Sequence, residues 1–359
     1  MEKKCAYCLS KIEKDSKQWQ SQIYCTSKCR KNAHRKKTAA NTRIEKKRAN
    51  LTQNDEVVYL LKQCRRSKTV QILHGHDLNT FLETMELVRN RPNANVRLCH
   101  IAPVKGEKTV GLFHCKNLFY GGAYQNRKFG NRYFSGGMSI KTTELLAKWS
   151  VHNEMTNNEI LILIEKYLGN IIPKYLEKSP VLKSKKVQII NKIIGINERE
   201  KFETLIQLSH QVLTETWAKL SHRKKSVWAT QRESKYITYM DSLTRFIEYS
   251  NGNSKTLIKL RRTMVIAYMA LERETKSSTY NKYFYVKYEP LVNIKYGQAM
   301  LINSNSWSEL KELIYETAFN TLQGAILDAN KFHKRILSYL KFPEKIRIEN
   351  NSIYASSFD

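Results

Sequence analysis

The spacing of hydrophobic residues divides the chain into two parts of different texture. Between residues 95 and 140 the apolar runs are short, and this segment holds seven of the thirteen glycines. From about residue 141 onward glycine is rare, and apolar residues recur every three or four positions, which is the period of an amphipathic helix. The sequence therefore predicts an α+β fold whose C-terminal half is mainly α-helical.

The same pattern predicts individual elements. Residues 57–64 indicate a short helix, and the β-branched residues of 69–73 favour a strand. Residues 77–90 have the spacing of an amphipathic helix, with Asp77 as its N-cap. Two short strands, a loop and a short helix are expected between residues 95 and 140. Further helices are predicted over residues 142–150, 156–178, 199–221, 225–249, 255–275 and 307–340, with a strand or irregular element over 280–299.

Composition adds a strong charge imbalance. The 359 residues include 62 Lys and Arg against 32 Asp and Glu, a formal net charge of +30. Such a charge predicts a polyanionic partner, and nucleic acid, DNA first, is favoured over a membrane surface. No run of about 18 apolar residues and no apolar N-terminal segment is present, so we expect a cytoplasmic protein without a membrane partner.

Four of the seven cysteines lie in the first thirty residues, as the pairs Cys5-x2-Cys8 and Cys25-x3-Cys29. Two such pairs are typical of a four-thiolate zinc site, and an odd cysteine count argues against a disulfide framework. The alternative is a small core of reduced cysteines, but residues 1–50 carry too few other apolar groups to support one. The pattern resembles zinc-ribbon and treble-clef-like modules, which implies a structural zinc ion.

The cysteine module is also strongly basic. Residues 1–48 contain fifteen Lys and Arg against four Asp and Glu. We expect Cys29 to lie in the first turn of a basic helix whose side chains contact nucleic-acid phosphates, while a solvated charged face is the alternative. The residues predicted to make these contacts are Arg30, Lys31, Arg35 and Lys37. Composition thus suggests three domains, residues 1–50, 51–140 and 141–359.

Residues 97–131 hold the most informative motif. His100 precedes Pro103, an Asn117-Leu118 pair follows a loop, and Asn126 lies in the basic turn Gln-Asn-Arg-Lys-Phe-Gly-Asn. A site that hydrolyses a phosphodiester needs a base for water, a ligand for a hard cation and a residue that fixes the loop between them. One residue of a suitable type is present for each role.

Over about residues 95–135 this motif resembles the HNH (ββα-metal) nuclease family. The resemblance implies a central ββα-metal motif in which His100 activates water and Asn117 holds the loop. Asn126 would bind a Mg²⁺ or Mn²⁺ ion on the phosphate. Arg127, Lys128 and Arg132 would then face the nucleic acid.

Cys99 departs from the family, which usually has an acidic residue or a second His directly before the catalytic His. A thiol is a poor ligand for Mg²⁺. Three outcomes stay open: Cys99 binds a softer central ion, a carboxylate from elsewhere replaces it, or the site is inactive and serves as a scaffold. The nearest carboxylates in sequence are Asp77, Glu83, Glu86 and Glu107.

The sequence therefore favours a metal-dependent DNA endonuclease that is docked by basic zinc and helical modules. The alternative from a different class is a non-catalytic DNA- or RNA-binding protein, regulatory or architectural, that reuses a degenerate HNH fold. A third hypothesis is an interaction module whose basic faces bind an acidic protein. The oligomeric state does not follow from the sequence.

Overall fold

The computed structural model describes residues 2–14, 19–92, 95–130, 132–134, 136–180, 184–221, 234–252, 254–273, 281–295 and 297–342. These residues are mostly helical, with few short strands. The helices are α1 (Ser27–Ala49), α2 (Asp55–Ser67), α3 (Leu78–Arg89), α4 (Ala123–Phe129), α5 (Asn157–Leu168), α6 (Ile171–Lys178), α7 (Lys185–Ile194), α8 (Phe202–Leu205), α9 (His210–Leu220), α10 (Lys235–Tyr249), α11 (Lys255–Arg273), α12 (Lys282–Tyr288), α13 (Trp307–Leu322) and α14 (Ala329–Leu337). Within the described residues, every helix is too short or too polar to cross a membrane.

The strands form antiparallel pairs. They are β1 (Val96–His100), β2 (Thr109–Gly111), β3 (Leu118–Gly122), β4 (Ser139–Lys141), β5 (Met300–Leu301) and β6 (Leu340–Lys341). Strand β1 pairs with β3, with His100 opposite Leu118, β2 pairs with β4, and β5 pairs with β6. The pair β1–β3, called the ribbon below, is the longest and leads directly into α4.

The ribbon separates two hydrophobic cores, because successive side chains of a strand point to opposite faces. Leu98 and Leu118 face the N-terminal core, which they share with α2, α3, α5 and α6. Cys99 and Phe119 face the C-terminal core, which they share with α4, α10, α11, α13 and α14. Helices α7, α8 and α9 form a smaller cluster. Each face of the ribbon is therefore covered by helices.

Two predicted features of the first hundred residues have opposite outcomes. The helix over 77–90 is confirmed, with Asp77 accepting a hydrogen bond from the Thr80 amide in a capping box. The predicted strand over 69–73 is wrong, because Val70–Leu73 is a buried 3₁₀ turn. Its apolar side chains are satisfied by burial in the N-terminal core rather than by pairing along a sheet.

The helical half is more broken than periodicity predicts. Residues 142–150 contain two 3₁₀ turns instead of a helix, and the predicted helix over 156–178 is divided at Gly169, whose φ is +55°. Gly324, with φ +97°, divides the predicted helix over 307–340 in the same way. Glycine at these positive φ values ends a helix at little steric cost. The predicted helix over 199–221 is likewise divided into α8 and α9.

The remaining predicted elements agree in part. Helices α10 and α11 lie in the segments predicted as 225–249 and 255–275, although residues 225–233 and 274–275 lie outside the described part of the chain. The strand or irregular element predicted over 280–299 is wrong for its first part, which is helix α12 with Phe284 and Tyr288 buried. The N-terminal core continues beyond residue 141, the predicted domain boundary, to Leu176. The division into three domains stays a prediction.

Candidate metal centre and nucleic-acid interface

Four cysteine thiols converge near the start of the chain. The sulfur atoms of Cys5, Cys8, Cys25 and Cys29 all lie within 4.8 Å of one another. The Sγ atoms of Cys8 and Cys25 are 3.4 Å apart, and those of Cys25 and Cys29 are 3.5 Å apart. Sulfur ligands around a tetrahedral zinc ion stand about 3.8 Å apart, given Zn–S bonds of about 2.3 Å. The group could therefore hold a metal such as zinc.

Two backbone features position these thiols. The amide of Leu9 donates to the carbonyl oxygen of Cys5 at 3.0 Å, which closes the first Cys-x2-Cys turn. At the second pair, Thr26 caps helix α1 by accepting a hydrogen bond from the amide of Cys29 at 3.2 Å. Cys29 thus lies in the first turn of α1, as predicted.

Local hydrogen bonds favour the thiolate form, which binds metal, in two of the four cysteines, Cys5 and Cys8. Burial opposes ionisation of Cys5, but hydrogen bonds from neighbouring backbone amides, those of Cys8 and Cys25 first, lower its pKa to about 6. Hydrogen bonds with Ser10 lower the pKa of Cys8. Side-chain contacts with Cys8 and Cys29 raise the pKa of Cys25 to about 12. Thiolates are the ligands of zinc, so a bound cation would be needed to hold all four in that form.

Helix α1 is attached to the rest of the protein through its C-terminal end. Ile44 packs against the N-terminal core, Lys47 donates to two backbone carbonyl oxygens at the end of α6, and Arg48 pairs with Glu165 at 3.0 Å. No residue of α1 is buried. Residues 27–43 therefore form a helical segment about 25 Å long, with the four cysteines at its N-terminal end.

The charge of α1 is almost entirely positive. The helix has ten Lys and Arg and one Glu, and at 100° per residue the basic side chains surround its axis. The predicted contact residues Arg30, Lys31, Arg35 and Lys37 are all exposed. One side of the helix lines an open groove of about 660 Å³, formed by His34, Arg35, Thr38, Ala39, Thr42, Arg43 and Lys46.

The central motif is built on the ribbon and α4. Along the chain, β1 is followed by a connection that contains β2, then by β3 and α4. The amides of Tyr120 and Gly122 donate to Ser242 Oγ and Tyr239 Oη of α10 at 3.2 and 2.8 Å. These bonds hold β3 against the C-terminal helices. The ribbon is therefore a fixed support for the residues at its loop end.

Asn117 ties the loop between the strands together. Its side chain is fully buried and makes four hydrogen bonds: Oδ1 accepts from the amides of Ala102 (2.9 Å) and Met138 (3.0 Å), and Nδ2 donates to the carbonyls of Leu112 (2.7 Å) and Ala102 (3.3 Å). These bonds satisfy the whole capacity of the amide. A side chain at Gly137 would place its Cβ 2.2 Å from Oδ1, so glycine is needed there.

His100 lies at the end of β1 and faces the N-terminal core. Its ring centroid is 6.2 Å from that of Phe113. The residue keeps part of its surface, but Nε2 is buried and has no hydrogen-bond partner among the described residues. Burial, with the positive charge of Arg66, lowers the pKa of His100 to about 3. The imidazole is therefore neutral at pH 7, a weak base, and enclosed on its Nε2 side.

The other residues predicted for the central ion are not assembled around His100. Cys99 is buried in the C-terminal core, where burial raises the pKa of its thiol to about 12. Helix α4 packs through Phe129 on that same face, so α4 and the His100 ring lie on opposite faces of the ribbon. Asn126 is partly exposed on α4. Among described residues, the N-terminal cysteines are the one group of three or more His, Cys, Asp or Glu side chains arranged to hold a metal.

Of the four carboxylates nearest in sequence, Glu107 is exposed and the other three have structural contacts of their own. Asp77 caps α3, Glu83 accepts from Tyr249 Oη, and Glu86 accepts from Asn90. None of them joins His100 and Cys99 in a ligand group within the described part of the chain. A carboxylate replacement for Cys99 is thus not found among them.

The three predicted basic residues near α4 are exposed but differ in their contacts. Lys128 pairs with Glu316 of α13. Arg132 donates from Nε to the carbonyl of Phe129 at 3.0 Å and from Nη2 to that of Lys128 at 2.8 Å, closing the end of α4. Arg127 makes no hydrogen bond or ion pair within the described residues, so it is the most available cation of the three.

Sequence reasoning missed the exposed aromatic residues beside this site. Tyr124, Tyr133 and Phe134 are 58%, 42% and 40% exposed. The sequence signal was present, since aromatic and basic residues alternate from Tyr124 to Phe134, but the pattern alone does not distinguish a surface from a core. By contrast, the described Tyr285 and Tyr288, which lie in the tyrosine-rich segment after residue 278, are buried.

Comparison of the chain with known protein families, with curated proteins and with solved structures finds no match in any of the three. Functional inference therefore depends on the geometry of the chain itself.

Proposed function

We propose that this protein binds nucleic acid, DNA in the first instance, through helix α1 and the cysteine module at its end. The observation that carries the proposal is a 23-residue helix with ten basic residues, no buried residue and attachment at one end only. A helix that is polar all round gains little from packing, and like charges one turn apart destabilise it. A polyanion would remove that repulsion.

The shape of α1 favours a duplex groove over a membrane surface. An interfacial helix needs an apolar face, which the low apolar content of α1 does not provide. The major groove of B-DNA is about 12 Å wide and admits a helix of about 10–12 Å diameter. Basic side chains around the whole axis would meet phosphates on both walls of the groove.

Zinc held by the four cysteines would have a structural part in this function. With all four positions taken by sulfur, no position is left for substrate. The metal would fix the turn that precedes α1 and keep Cys29 at the start of the helix. We therefore treat the cysteine module as the support of α1 rather than as a reaction centre.

The salt dependence of DNA binding tests this proposal. Replacing Arg30, Lys31, Arg35 and Lys37 by Gln should make the slope of log K against log salt concentration less negative by about 3 to 4. Each lost phosphate contact reduces the magnitude of this slope by about 0.9. Fluorescence anisotropy with a labelled duplex measures both slopes.

A matched control replaces four exposed lysines elsewhere, Lys62, Lys174, Lys201 and Lys219, by Gln. This variant carries the same change in net charge and should keep most of the wild-type slope. An equal loss in both variants would contradict docking through α1. An absence of binding even at low salt would favour the acidic-protein partner instead.

Phosphodiester hydrolysis is a second candidate, supported by the order of β1, β3 and α4, by the loop contacts of Asn117 and by the unpaired Nε2 of His100. A buried polar atom without a partner calls for a functional or solvent explanation. Against hydrolysis stand the enclosed His100 ring and the burial of Cys99 in a core. We therefore favour the non-catalytic binding protein with a degenerate HNH-like element.

Supercoiled plasmid incubated with Mg²⁺, Mn²⁺ or Zn²⁺ separates the two candidates. The binding protein should leave the plasmid intact with each metal. Nicking that His100→Ala and Asn126→Ala both abolish, while DNA binding persists, would establish the nuclease and overturn our preference.

A further inference from the structure

Three exposed aromatic residues and one arginine lie on α4 and in the segment that directly follows it. They are Tyr124, Arg132, Tyr133 and Phe134, and we call them the aromatic surface. Its three rings are 40–58% exposed within eleven residues of sequence. Single exposed aromatic residues are ordinary on proteins, whereas a group of them marks an interaction site.

Three residues of the aromatic surface, Arg132, Tyr133 and Phe134, are held in place although they face solvent. The Phe134 ring lies 5.3 Å from that of Phe129, a residue of the C-terminal core. The Tyr133 hydroxyl donates to the carbonyl of Gly136 at 2.9 Å, and the Arg132 guanidinium lies 5.0 Å from the Phe129 ring centroid. Side chains fixed before binding lose little conformational entropy on binding.

The charge around these rings is suited to a polyanion. Arg127 is exposed, lies one turn from Tyr124 on α4 and has no partner within the described residues, whereas the guanidinium of the exposed Arg132 donates to the carbonyls of Phe129 and Lys128. Two carboxylates of α13 contact α4. Glu316 neutralises Lys128, and Glu312 accepts a hydrogen bond from Gln125. Within the described part of the chain, Arg127 is therefore the cation near Tyr124 that can pair with a phosphate, and Arg132 adds positive charge next to Tyr133 and Phe134 in sequence.

We propose that the aromatic surface stacks the unpaired bases of a single-stranded segment, which rests on the proposed nucleic-acid function and narrows its substrate class. Bases within a duplex stack on one another and do not offer their faces, so exposed rings select unpaired bases. Tyrosine, phenylalanine and guanidinium planes all accept such bases. Helix α1 would hold duplex, and the aromatic surface would hold an adjoining single strand.

Anisotropy with a labelled oligothymidine and with a labelled duplex tests the proposal. The triple variant Tyr124→Ala, Tyr133→Ala, Phe134→Ala should lose single-strand affinity by tenfold or more, since each stacked base contributes roughly a 5- to 150-fold factor. Its duplex affinity should stay close to wild type. The control Phe202→Ala removes an exposed ring of α8 and should change neither affinity.

A second measurement does not depend on the folding of variants. Single strands carrying 5-iodouracil, irradiated on the wild-type protein, should crosslink to Tyr124, Tyr133 or Phe134, with the sites located by mass spectrometry. Crosslinks confined to other residues would overturn the inference. Tyr124→Phe keeps the ring and should keep the affinity, which separates stacking from a role of the hydroxyl.

The outcomes distinguish the two proposals. If wild type binds duplex through α1 but the triple variant leaves single-strand affinity unchanged, the aromatic surface fails and the proposed function stands. An equal loss for both oligonucleotides also contradicts selective stacking. If wild type binds neither oligonucleotide at low salt, the proposed function itself fails.

Discussion

His100 shows how one partly buried imidazole, with its Nε2 enclosed, couples stability to acid. Its pKa is lowered to about 3 by burial and by the charge of Arg66, whereas an unfolded histidine titrates near 6.5. Between these values the unfolded chain binds a proton that the folded chain does not, so stability falls as pH drops below about 6.5. Burial lowers the pKa of His76 and of His333 to about 4, with the same sign.

We expect His100→Leu to reduce this acid sensitivity. Urea denaturation measures how much the free energy of unfolding falls between pH 7 and pH 5. This fall should be smaller in His100→Leu than in wild type by up to about 2 kcal/mol, because the histidine contributes about 1.4 kcal/mol per pH unit below 6.5. Replacing the exposed His152 by Asn gives the control. An unchanged difference in His100→Leu would mean that His100 is not enclosed in solution.

At the same scale, residue type predicted some contacts and not others. Asn117 was expected to hold its loop, and it makes four hydrogen bonds across that loop. The lowered pKa of His100 was not predictable, because it depends on burial beside Phe113 and on the charge of Arg66, both of which the fold brings from other elements. The sequence names the chemistry of a side chain, and the packing around it decides its accessibility.

At the scale of elements, prediction succeeded where local signals agree. Helix α3 has an apolar period and a capping box, and α1 begins where Thr26 caps a basic run. Prediction failed where only long-range packing decides, as in the 3₁₀ turn Val70–Leu73, whose strand-like side chains are buried in the N-terminal core. Apolar periodicity does not show where a helix ends, and Gly169 and Gly324 each divide a long helical pattern by adopting positive φ.

At the scale of the whole molecule, the ribbon lies between two hydrophobic cores, and the cysteines before α1 belong to neither core. The described residues before α1 contribute no side chain to any of the three hydrophobic clusters. Cys5 and Ile12 are buried, but two such residues cannot stabilise a module of this size without a further link. A structural zinc ion would supply that link, since its binding free energy is about 10–16 kcal/mol in small zinc modules.

Metal removal should therefore unfold one end of the protein and leave the rest. In Cys25→Ser, or after treatment with a zinc chelator, we expect loss of one zinc per chain by atomic emission. Limited proteolysis should then cut before Ile44, the point where α1 packs on the N-terminal core. Duplex affinity should fall, while the melting temperature of the two cores should stay unchanged.

Cys64→Ala offers the opposite control, because Cys64 is fully buried in the N-terminal core. Its replacement should lower the melting temperature without releasing zinc. Full retention of zinc and of protease resistance in Cys25→Ser would contradict a four-thiolate site, and unfolding of the whole chain would show that the module and the cores are one cooperative unit.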